Sequence, residues 1–164
     1  MVEDGTTMVV PFSHASSYTD PLSLPSRVFT VNGTTVRITQ SMQRDGKGGT
    51  ALGFGAAVYP SAIVLAHFLD VHYPRRLLVG KTVLELGCGV GFCAIAAALC
   101  GAGKVIATDG DPRSVQLTRD NIANNTDVLL QATAAGAAEV TSVKLRWADL
   151  ADTARVAGKI DTST

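Results

Sequence analysis

The chain has 164 residues, and its 14 lysines and arginines balance 14 aspartates and glutamates. A zero net charge and 5% aromatic residues argue against nucleic-acid binding, which needs a positive field or a surface for base stacking. The longest uniformly apolar run, residues 92–100, is too short to cross a bilayer, and no signal peptide is visible at the N-terminus. We therefore expect a cytoplasmic protein, with a nuclear location also open, and no membrane partner.

The three cysteines indicate buried thiols. Cys88, Cys93 and Cys100 are an odd number clustered in one short region, which argues against a disulfide framework. Their spacing is not that of paired zinc ligands, and no histidine lies nearby in sequence. We expect a reducing compartment and no metal site.

Two short alternating segments follow a lead-in that contains serine, threonine and proline. Residues 1–26 hold few periodic apolar residues, and we expect them to be loosely ordered. Residues 28–31 and 34–39 alternate on either side of an Asn-Gly pair, which predicts a β-hairpin. Residues 44–49 contain three glycines and predict a flexible loop.

The rest of the chain alternates between helical and strand patterns. In chain order these are a helix from Tyr59-Pro60-Ser61, a strand over 83–86, a helix over 92–100, a strand over 104–109, a helix over 112–125, an alanine-rich helical insertion over 131–138 and a strand over 143–147. Such alternation predicts an α/β fold, in which a parallel sheet with right-handed crossovers carries helices on both faces. We expect the first of these strands to be central in the sheet, beside the second.

The glycine-rich turn after the first strand is the most informative feature. Gly87, Gly89 and Gly91 lack Cβ atoms, so a ligand can approach the backbone, and the next helix directs free N–H groups at it. The spacing is Gly-x-Gly-x-Gly, whereas dinucleotide sites carry Gly-x-Gly-x-x-Gly. Glu85 would repel a pyrophosphate and attract an ammonium group. These features favour S-adenosylmethionine as the cofactor.

Two further candidates follow the other strands. Asp109 ends the second strand, where its carboxylate can accept both ribose hydroxyls of a cofactor, although a simple turn residue is the alternative. Trp147 ends the third strand and offers an aromatic wall near an adenine, or else a core aromatic side chain. Asp149 could be a solvated carboxylate. Because ligands of parallel sheets lie outside the carboxyl ends of the strands, we expect these segments to converge.

Several of these segments together resemble a known family. They are residues 55–65, residues 81–91 with Lys-Thr-Val-Leu-Glu-Leu-Gly-Cys-Gly-Val-Gly, Ala107-Thr-Asp109, residues 121–125 and Leu145-Arg-Trp147. The glycine segment resembles motif I of the class I, seven-strand S-adenosylmethionine-dependent methyltransferases. More narrowly, the set resembles the methyltransferase-like protein lysine methyltransferases. The resemblance implies a Rossmann-like fold, of which this chain holds the N-terminal half with a preceding β-hairpin.

The resemblance also implies roles by position. Gly87, Cys88 and Gly89 would form the turn against the methionyl part of the cofactor, with Glu85 near its amino end. Asp109 would hold the ribose, and Trp147 would border the adenine. Tyr59 stands where members usually carry a tryptophan that faces the cofactor pocket, and helix-start packing is its alternative role. The implied cofactor-binding set is Tyr59, Glu85, Gly87, Cys88, Gly89, Gly91, Asp109 and Trp147.

The resemblance implies methylation of a lysine side chain on a protein partner. Residues 27–164 would be the cofactor-binding part of a methyltransferase domain that is incomplete at its C-terminus, with residues 158–161 approaching a fourth strand. The acidic motif of the substrate channel is absent, so we name no catalytic residue and expect this fragment alone to be inactive. The alternatives are a methyltransferase for a small molecule, a nicotinamide-binding module and a non-catalytic module.

Overall fold

A computed structural model describes residues 20–42, 53–132 and 138–161. Most of the expected lead-in and the whole of the expected loop over 44–49 lie outside these residues. The described part of the chain contains a two-stranded antiparallel hairpin and a three-stranded parallel sheet. No helix in it is both long enough and apolar enough to span a membrane.

The hairpin forms as the sequence predicts. Strand β1 is Ser26–Val31 and strand β2 is Thr34–Thr39, and they pair antiparallel from Ser26 opposite Thr39 to Val31 opposite Thr34. Asn32 and Gly33 both have positive φ angles, of 49° and 71°, which is the conformation that a tight hairpin turn needs.

Six helices surround the sheet in the described residues. They are α1 Pro60–His67, α2 Arg75–Leu78, α3 Phe92–Leu99, α4 Pro112–Asn124, α5 Thr126–Ala132 and α6 Leu150–Asp161. Short 3-10 turns cover Pro21–Ser23 and Gly53–Ala56, and a π-helical turn, Phe68–His72, extends α1. Proline in the first turn starts both α1 and α4, as the sequence predicts, because its fixed φ angle suits that position.

The parallel sheet has the order β3-β4-β5. Its strands are β3 Thr82–Leu86, β4 Lys104–Asp109 and β5 Glu139–Lys144. The prediction that β3 lies beside β4 is confirmed. The prediction that β3 is central is wrong for the described sheet, because β4 occupies the middle and β3 an edge. Four consecutive residues of β4 are buried, as a central strand requires.

The third strand lies earlier in the chain than its predicted range, 143–147. It ends at Lys144, and only the Leu145 amide continues the pairing, with a 2.8 Å hydrogen bond to the Asp109 carbonyl. Ala148 then has a φ angle of 63°, which turns the chain away from the sheet. The alternation of Val143, Leu145 and Trp147 therefore marks the end of this strand and the turn after it, not its middle.

Helix α6 replaces the predicted approach to a fourth strand over 158–161. Asp149 caps it, since its Oδ1 accepts a 3.0 Å hydrogen bond from the Asp152 amide. Val156 and Ile160, four residues apart, pack against the sheet, which is the helical period. Of the predicted helical insertion over 131–138, residues 131 and 132 end α5, and residues 133–137 lie outside the described part of the chain.

The core shows why the sheet has helices on both faces. Every residue of α3 is buried, and α3 packs in one cluster with Val105 and Ala107 of β4 and with the hairpin. Ile106, between those two strand residues, points to the other face and packs against Val156 of α6. The predicted three-layer α/β arrangement is confirmed.

Candidate functional site

The turn between β3 and α3 is held in a conformation that glycine favours. Gly87, Gly89 and Gly91 have φ angles of 73°, 53° and 80°. A Cβ atom on Gly91 would lie 2.6 Å from Thr118 Cγ2, and one on Gly89 would lie 3.3 Å from the Gly55 Cα. At Gly87, by contrast, a Cβ atom would meet no described atom within 4 Å. The turn is therefore packed against Gly55 and Thr118 at Gly89 and Gly91, whereas it is open at Gly87.

Thr118 of α4 fastens the turn from its buried side. Its Oγ1 donates to the Gly89 carbonyl over 2.8 Å and lies 3.4 Å from Cys88 Sγ. The Cys88 amide donates to the Thr108 carbonyl of β4 over 2.8 Å. No sequence pattern indicated that Thr118 contacts the turn, since a threonine in an amphipathic helix gives no signal of its own. These bonds fix the backbone that would face a ligand.

The cysteines are buried and free, as predicted. Burial raises the pKa of the Cys88 and Cys93 thiols to about 12 and that of Cys100 to about 11. At neutral pH they are therefore thiols, which are poor nucleophiles and poor metal ligands. Within the described residues no cluster of histidine, cysteine and acidic side chains could hold a metal ion.

Asp109 connects the end of β4 to the glycine turn. Its Oδ2 accepts a 3.0 Å hydrogen bond from the Gly89 amide, and its Oδ1 accepts one of 2.9 Å from the Asp111 amide. Each carboxylate oxygen has a second lone pair, so both can still accept a hydroxyl hydrogen. The sequence predicted Asp109 at the mouth of the site, and the structure adds that it orients the turn.

Glu85 is the unusual acid of the site. Burial raises its pKa to about 7, with a smaller contribution from the negative charge of Asp109 and a partial offset by a backbone hydrogen bond from Ala94 in α3. Its Oε2 is buried and has no hydrogen-bond partner among the described residues. A carboxyl oxygen without a partner inside a protein is costly, so the position suits a ligand that donates to it.

Two hollows meet at the turn. One of about 500 Å³ lies between α1 and α3 and is lined by Glu85, Gly87, Cys88 and apolar side chains of β3 and both helices. The other, of about 330 Å³, is lined by Gly87, Asp109, Gly110, Leu145, Arg146 and Trp147. Gly87 borders both hollows, so one extended ligand could pass over its open side from one hollow to the other.

Trp147 stands at the outer wall of the second hollow. It is 75% exposed, which excludes the alternative of a core aromatic residue. Its neighbour Arg146 is held by Asp149 at 2.5 Å and by Asp152 at 3.0 Å. The Arg146 amide and guanidinium together hold the pKa of Asp152 at about 2. Asp149 caps α6 and pairs with Arg146, so it is not merely a solvated carboxylate.

Three of the eight predicted residues, Tyr59, Gly89 and Gly91, line neither hollow, and of these three only Tyr59 lies outside the glycine turn. It is the half-buried residue immediately before α1, and it lines neither of the two hollows described above. Seven of the eight predicted residues therefore lie at or beside the turn between β3 and α3, or at the ends of β4 and β5.

Gly55 and Asn121 were not assigned a role from the sequence. A Cβ atom on Gly55 would lie 2.2 Å from Ser114 Oγ, so a side chain at this position would require Ser114 to shift where this segment crosses the turn. Asn121 is fully buried, and its side chain bonds the Thr39 amide at 2.8 Å and the Val90 carbonyl at 2.9 Å. It thereby ties the hairpin to the residues between β3 and α3. The available signal was the pair of asparagines four residues apart, at position 121 in α4 and at position 125 just after it.

Comparison with known proteins agrees with this arrangement. Residues 52–150 match the profile of the family described as ribosomal protein L11 methyltransferase (PrmA). The chain belongs to this family. The profile covers β3, β4 and β5, the glycine turn and Trp147, which are the elements that form both hollows.

Curated relatives match a shorter stretch. The ribosomal protein L11 methyltransferase of Photobacterium profundum is 43% identical over 74 residues, which are 45% of this chain and 24% of that protein. That of Azotobacter vinelandii is 39% identical over the same length, with the same shares covered. The chain thus spans about a quarter of the length of these relatives.

Solved methyltransferase structures also match, at low identity. A protein from Streptococcus mutans described as an S-adenosylmethionine-dependent methyltransferase is 19% identical, with a TM-score of 0.49 over 83% of this chain and 30% of that one. The tRNA (uracil-54, C5)-methyltransferase of Pyrococcus abyssi, solved with S-adenosyl-L-homocysteine, is 15% identical, with a TM-score of 0.42 over 75% and 24%.

The family match, together with the observed parallel α/β sheet, confirms the predicted class I methyltransferase fold and S-adenosylmethionine as the cofactor of the class. The narrower resemblance, to the methyltransferase-like protein lysine methyltransferases, is not confirmed, because the matching family is that of the ribosomal protein L11 methyltransferases.

Proposed function

We propose that this chain binds S-adenosylmethionine over the Gly87–Gly91 turn, as the cofactor-binding part of a methyltransferase that acts on a lysine side chain of a protein. One observation carries the proposal. The 3.0 Å hydrogen bond from the Gly89 amide to Asp109 joins the ends of β3 and β4, with one hollow on each side. An extended ligand with a charged end and an aromatic end fits such a pair of hollows.

The residues present fit the cofactor. The buried Glu85 Oε2 lacks a partner among the described residues, and the ammonium of a methionyl group would satisfy it. A pyrophosphate would meet both Glu85 and Asp109 and be repelled, so a nicotinamide dinucleotide fits poorly. The carboxyl pKa of about 7 leaves Glu85 ready to ionise when a cation arrives.

The other residues would hold and orient the cofactor. The free lone pairs of Asp109 would accept ribose hydroxyls, and the exposed face of Trp147 would border the adenine. Gly87 would allow close approach, while Cys88 and Gly91 keep the turn in place. Tyr59 is the least supported member of the set, because it lines neither hollow and does not belong to the glycine turn.

When bound, S-adenosylmethionine supplies an electrophilic methyl group. The contribution of these residues is positioning, since they fix the cofactor and exclude water from its methionyl end. We assign no catalytic residue and retain residues 27–164 as the cofactor-binding part, with residues 1–26 as a lead-in. The names of the relatives make a ribosomal protein the first acceptor to test.

Isothermal titration calorimetry on residues 1–164 tests the cofactor. We expect S-adenosylmethionine and S-adenosylhomocysteine to bind one to one and NADH not to bind. Gly87→Ala should abolish binding without unfolding the chain, because its Cβ atom meets no described atom and would stand where the ligand lies. Gly33→Ala is the matched control, with a φ angle of 71° in the hairpin. Absence of binding, or equal binding of NADH, would contradict the proposal.

Transfer of a tritiated methyl group to purified ribosomal protein L11, with the full-length gene product that carries this chain as the enzyme, tests the acceptor. A lysine acceptor predicts incorporation that disappears after chemical acetylation of the amines on that protein. Incorporation that survives acetylation would point to another side chain. Our expectation that residues 1–164 alone are inactive is part of the proposal, and transfer by this chain at an ordinary enzymatic rate would contradict that expectation.

A further inference from the structure

The exposed edge of β5 lies on the far side of the sheet from β3. Helix α4 covers one face of β5, since Ser142 Oγ donates to the Val115 carbonyl over 3.2 Å. Helix α6 covers the other face, where Val156 packs with Val143 and Leu145. Because β5 pairs with β4 alone among the described strands, its outer backbone groups open into the groove between the two helices.

Two arginines reach that edge from opposite faces. Arg119 of α4 donates from Nη2 to the Ser142 carbonyl over 3.1 Å, and Arg155 of α6 donates from Nη2 to the Lys144 carbonyl over 3.1 Å. Both carbonyls therefore point outward, and they belong to alternate residues, as strand geometry requires. Guanidinium groups occupy the outward carbonyls of Ser142 and Lys144, so this edge presents hydrogen-bond donors and positive charge. Because these carbonyls are already bonded, addition of another β-strand is disfavoured.

The groove along this edge has a volume of about 740 Å³ and is cationic. Four of its lining residues are basic, namely Arg119, Lys144, Arg155 and Lys159, and none of its described lining residues is acidic. Arg155 also pairs with the buried carboxylate of Asp152, which it shares with Arg146. In a chain whose net charge is zero, this is a marked local excess of positive charge.

The uncharged lining residues favour a peptide over a nucleic acid as the ligand of the groove. Aliphatic side chains of α4 and β5 contribute to it, namely Ile122, Ala123, Val140 and Val143. None of its described lining residues is aromatic, so they offer no surface on which nucleobases could stack. A groove with cations and aliphatic side chains matches an extended peptide that carries carboxylates and aliphatic side chains in alternation.

We propose that this groove docks an acidic, extended segment of a protein partner. The surface shares no lining residue with the two cofactor hollows. A protein partner bound in this groove would therefore lie outside the two hollows proposed for the cofactor. This inference rests on the proposed function in one respect, that the docked partner is the protein substrate. Binding of the acidic segment itself requires neither the cofactor nor methyl transfer.

Fluorescence anisotropy with a synthetic peptide tests the docking surface. The probe is a labelled Glu-Leu-Glu-Val-Glu-Leu-Glu peptide without lysine, compared with the same peptide carrying glutamine in place of glutamate. The disrupting variant is Lys144→Glu with Lys159→Glu, which reverses two charges of the groove. The control is Arg76→Glu with Lys81→Glu, an equal charge change at exposed positions outside it.

We expect the acidic peptide to bind the unmodified chain, and the groove variant to weaken binding by at least about tenfold at low salt. The control variant and the unmodified chain should bind alike, and the glutamine peptide should not bind. Thermal melts must show that both variants fold, and calorimetry with S-adenosylmethionine should be unchanged in both. That last result separates failure of the groove from failure of the proposed function.

Three results would overturn the inference. The first is equal binding of the acidic and glutamine peptides, and the second is undiminished binding by a folded groove variant. The third is tighter binding of a short oligouridylate than of the acidic peptide, which would make the groove a nucleic-acid surface instead.

Discussion

The two ends of the candidate cofactor site are built differently. At the end of β3, the turn runs into α3, of which every residue is buried, and it is fastened by Thr118 and Asp109. At the end of β5, Trp147 is 75% exposed, and the exposed side chain of Arg146 beside it pairs with Asp149 and Asp152. The end at β3, proposed for the methionyl part of the cofactor, is thus part of the core, whereas the end at β5, proposed for the adenine, is part of the surface.

This difference separates two kinds of mutational effect. Changes at the first end disturb packed backbone and should lower the stability of the whole chain, because protein interiors tolerate little added volume. Changes at the second end remove contacts to a ligand and should leave stability nearly unchanged. Substitutions at the two ends test this difference between loss of stability and loss of ligand binding.

Gly91→Ala should lower the free energy of unfolding by about 2–4 kcal/mol, because it combines a left-handed backbone with a clash. The φ angle is 80°, and the new Cβ atom would lie 2.6 Å from Thr118 Cγ2. Urea denaturation measures the loss. Gly33→Ala, at a φ angle of 71° with no atom near its Cβ, should cost only about 1–2 kcal/mol. Equal losses would show that the turn is not packed as described.

Asp109→Ala should weaken binding of S-adenosylmethionine by about 1.5–3 kcal/mol, the range for hydrogen bonds to a charged group. The change removes the acceptor for the Gly89 amide as well as the expected contact to the ribose. Calorimetry at fixed salt measures the affinity. Asp120→Ala, an exposed carboxylate bonded to Gln116 on α4, is the control and should bind normally. Unchanged affinity in Asp109→Ala would remove this residue from the site.

Glu85→Gln should remove a pH dependence of stability. The pKa of Glu85 is about 7 in the folded chain against an ordinary 4.5, so the folded state holds this proton more tightly than the unfolded state. The resulting stability is complete below about pH 4.5 and is lost as pH rises through 7, a fall of roughly 1–3 kcal/mol that the glutamine variant should not show.

Urea denaturation between about pH 5 and pH 8 measures this difference, with Glu139→Gln at an exposed position as the control. Binding of S-adenosylmethionine should strengthen over the same interval in the unmodified chain, because the carboxylate forms. In Glu85→Gln it should be weaker and independent of pH. Parallel stability profiles of the two proteins would refute the raised pKa.

Trp147→Ala should weaken binding of S-adenosylmethionine by about tenfold, near the low end of the range for stacking of a base on an aromatic ring. Because the side chain is 75% exposed, the free energy of unfolding should change by less than about 0.5 kcal/mol. Leu150→Ala, at a side chain 86% exposed, should alter neither quantity. A large loss of stability in Trp147→Ala would erase the contrast between the two ends.

Much of the fold followed from local signals in the sequence. The Asn-Gly hairpin, the proline starts of α1 and α4, and the strands β3 and β4 were predicted at or within about one or two residues of their observed bounds. Each depends on backbone preferences or on a period that neighbouring residues share. The shift of β5 and the helix in place of residues 158–161 were missed, because a short apolar alternation does not show where pairing with β4 ends.

The sequence alone determined the chemistry of the glycine turn, since glycine spacing and an acid two residues before it are local properties of the chain. The tertiary structure alone decided which glycines are packed and which is open, and that Asp109 binds the turn itself. It also decided that Thr118, Gly55 and Asn121 support the turn, and that β3 and β5 lie at opposite edges of the described sheet. These are contacts between residues far apart in the chain, and local preference carries no information about them.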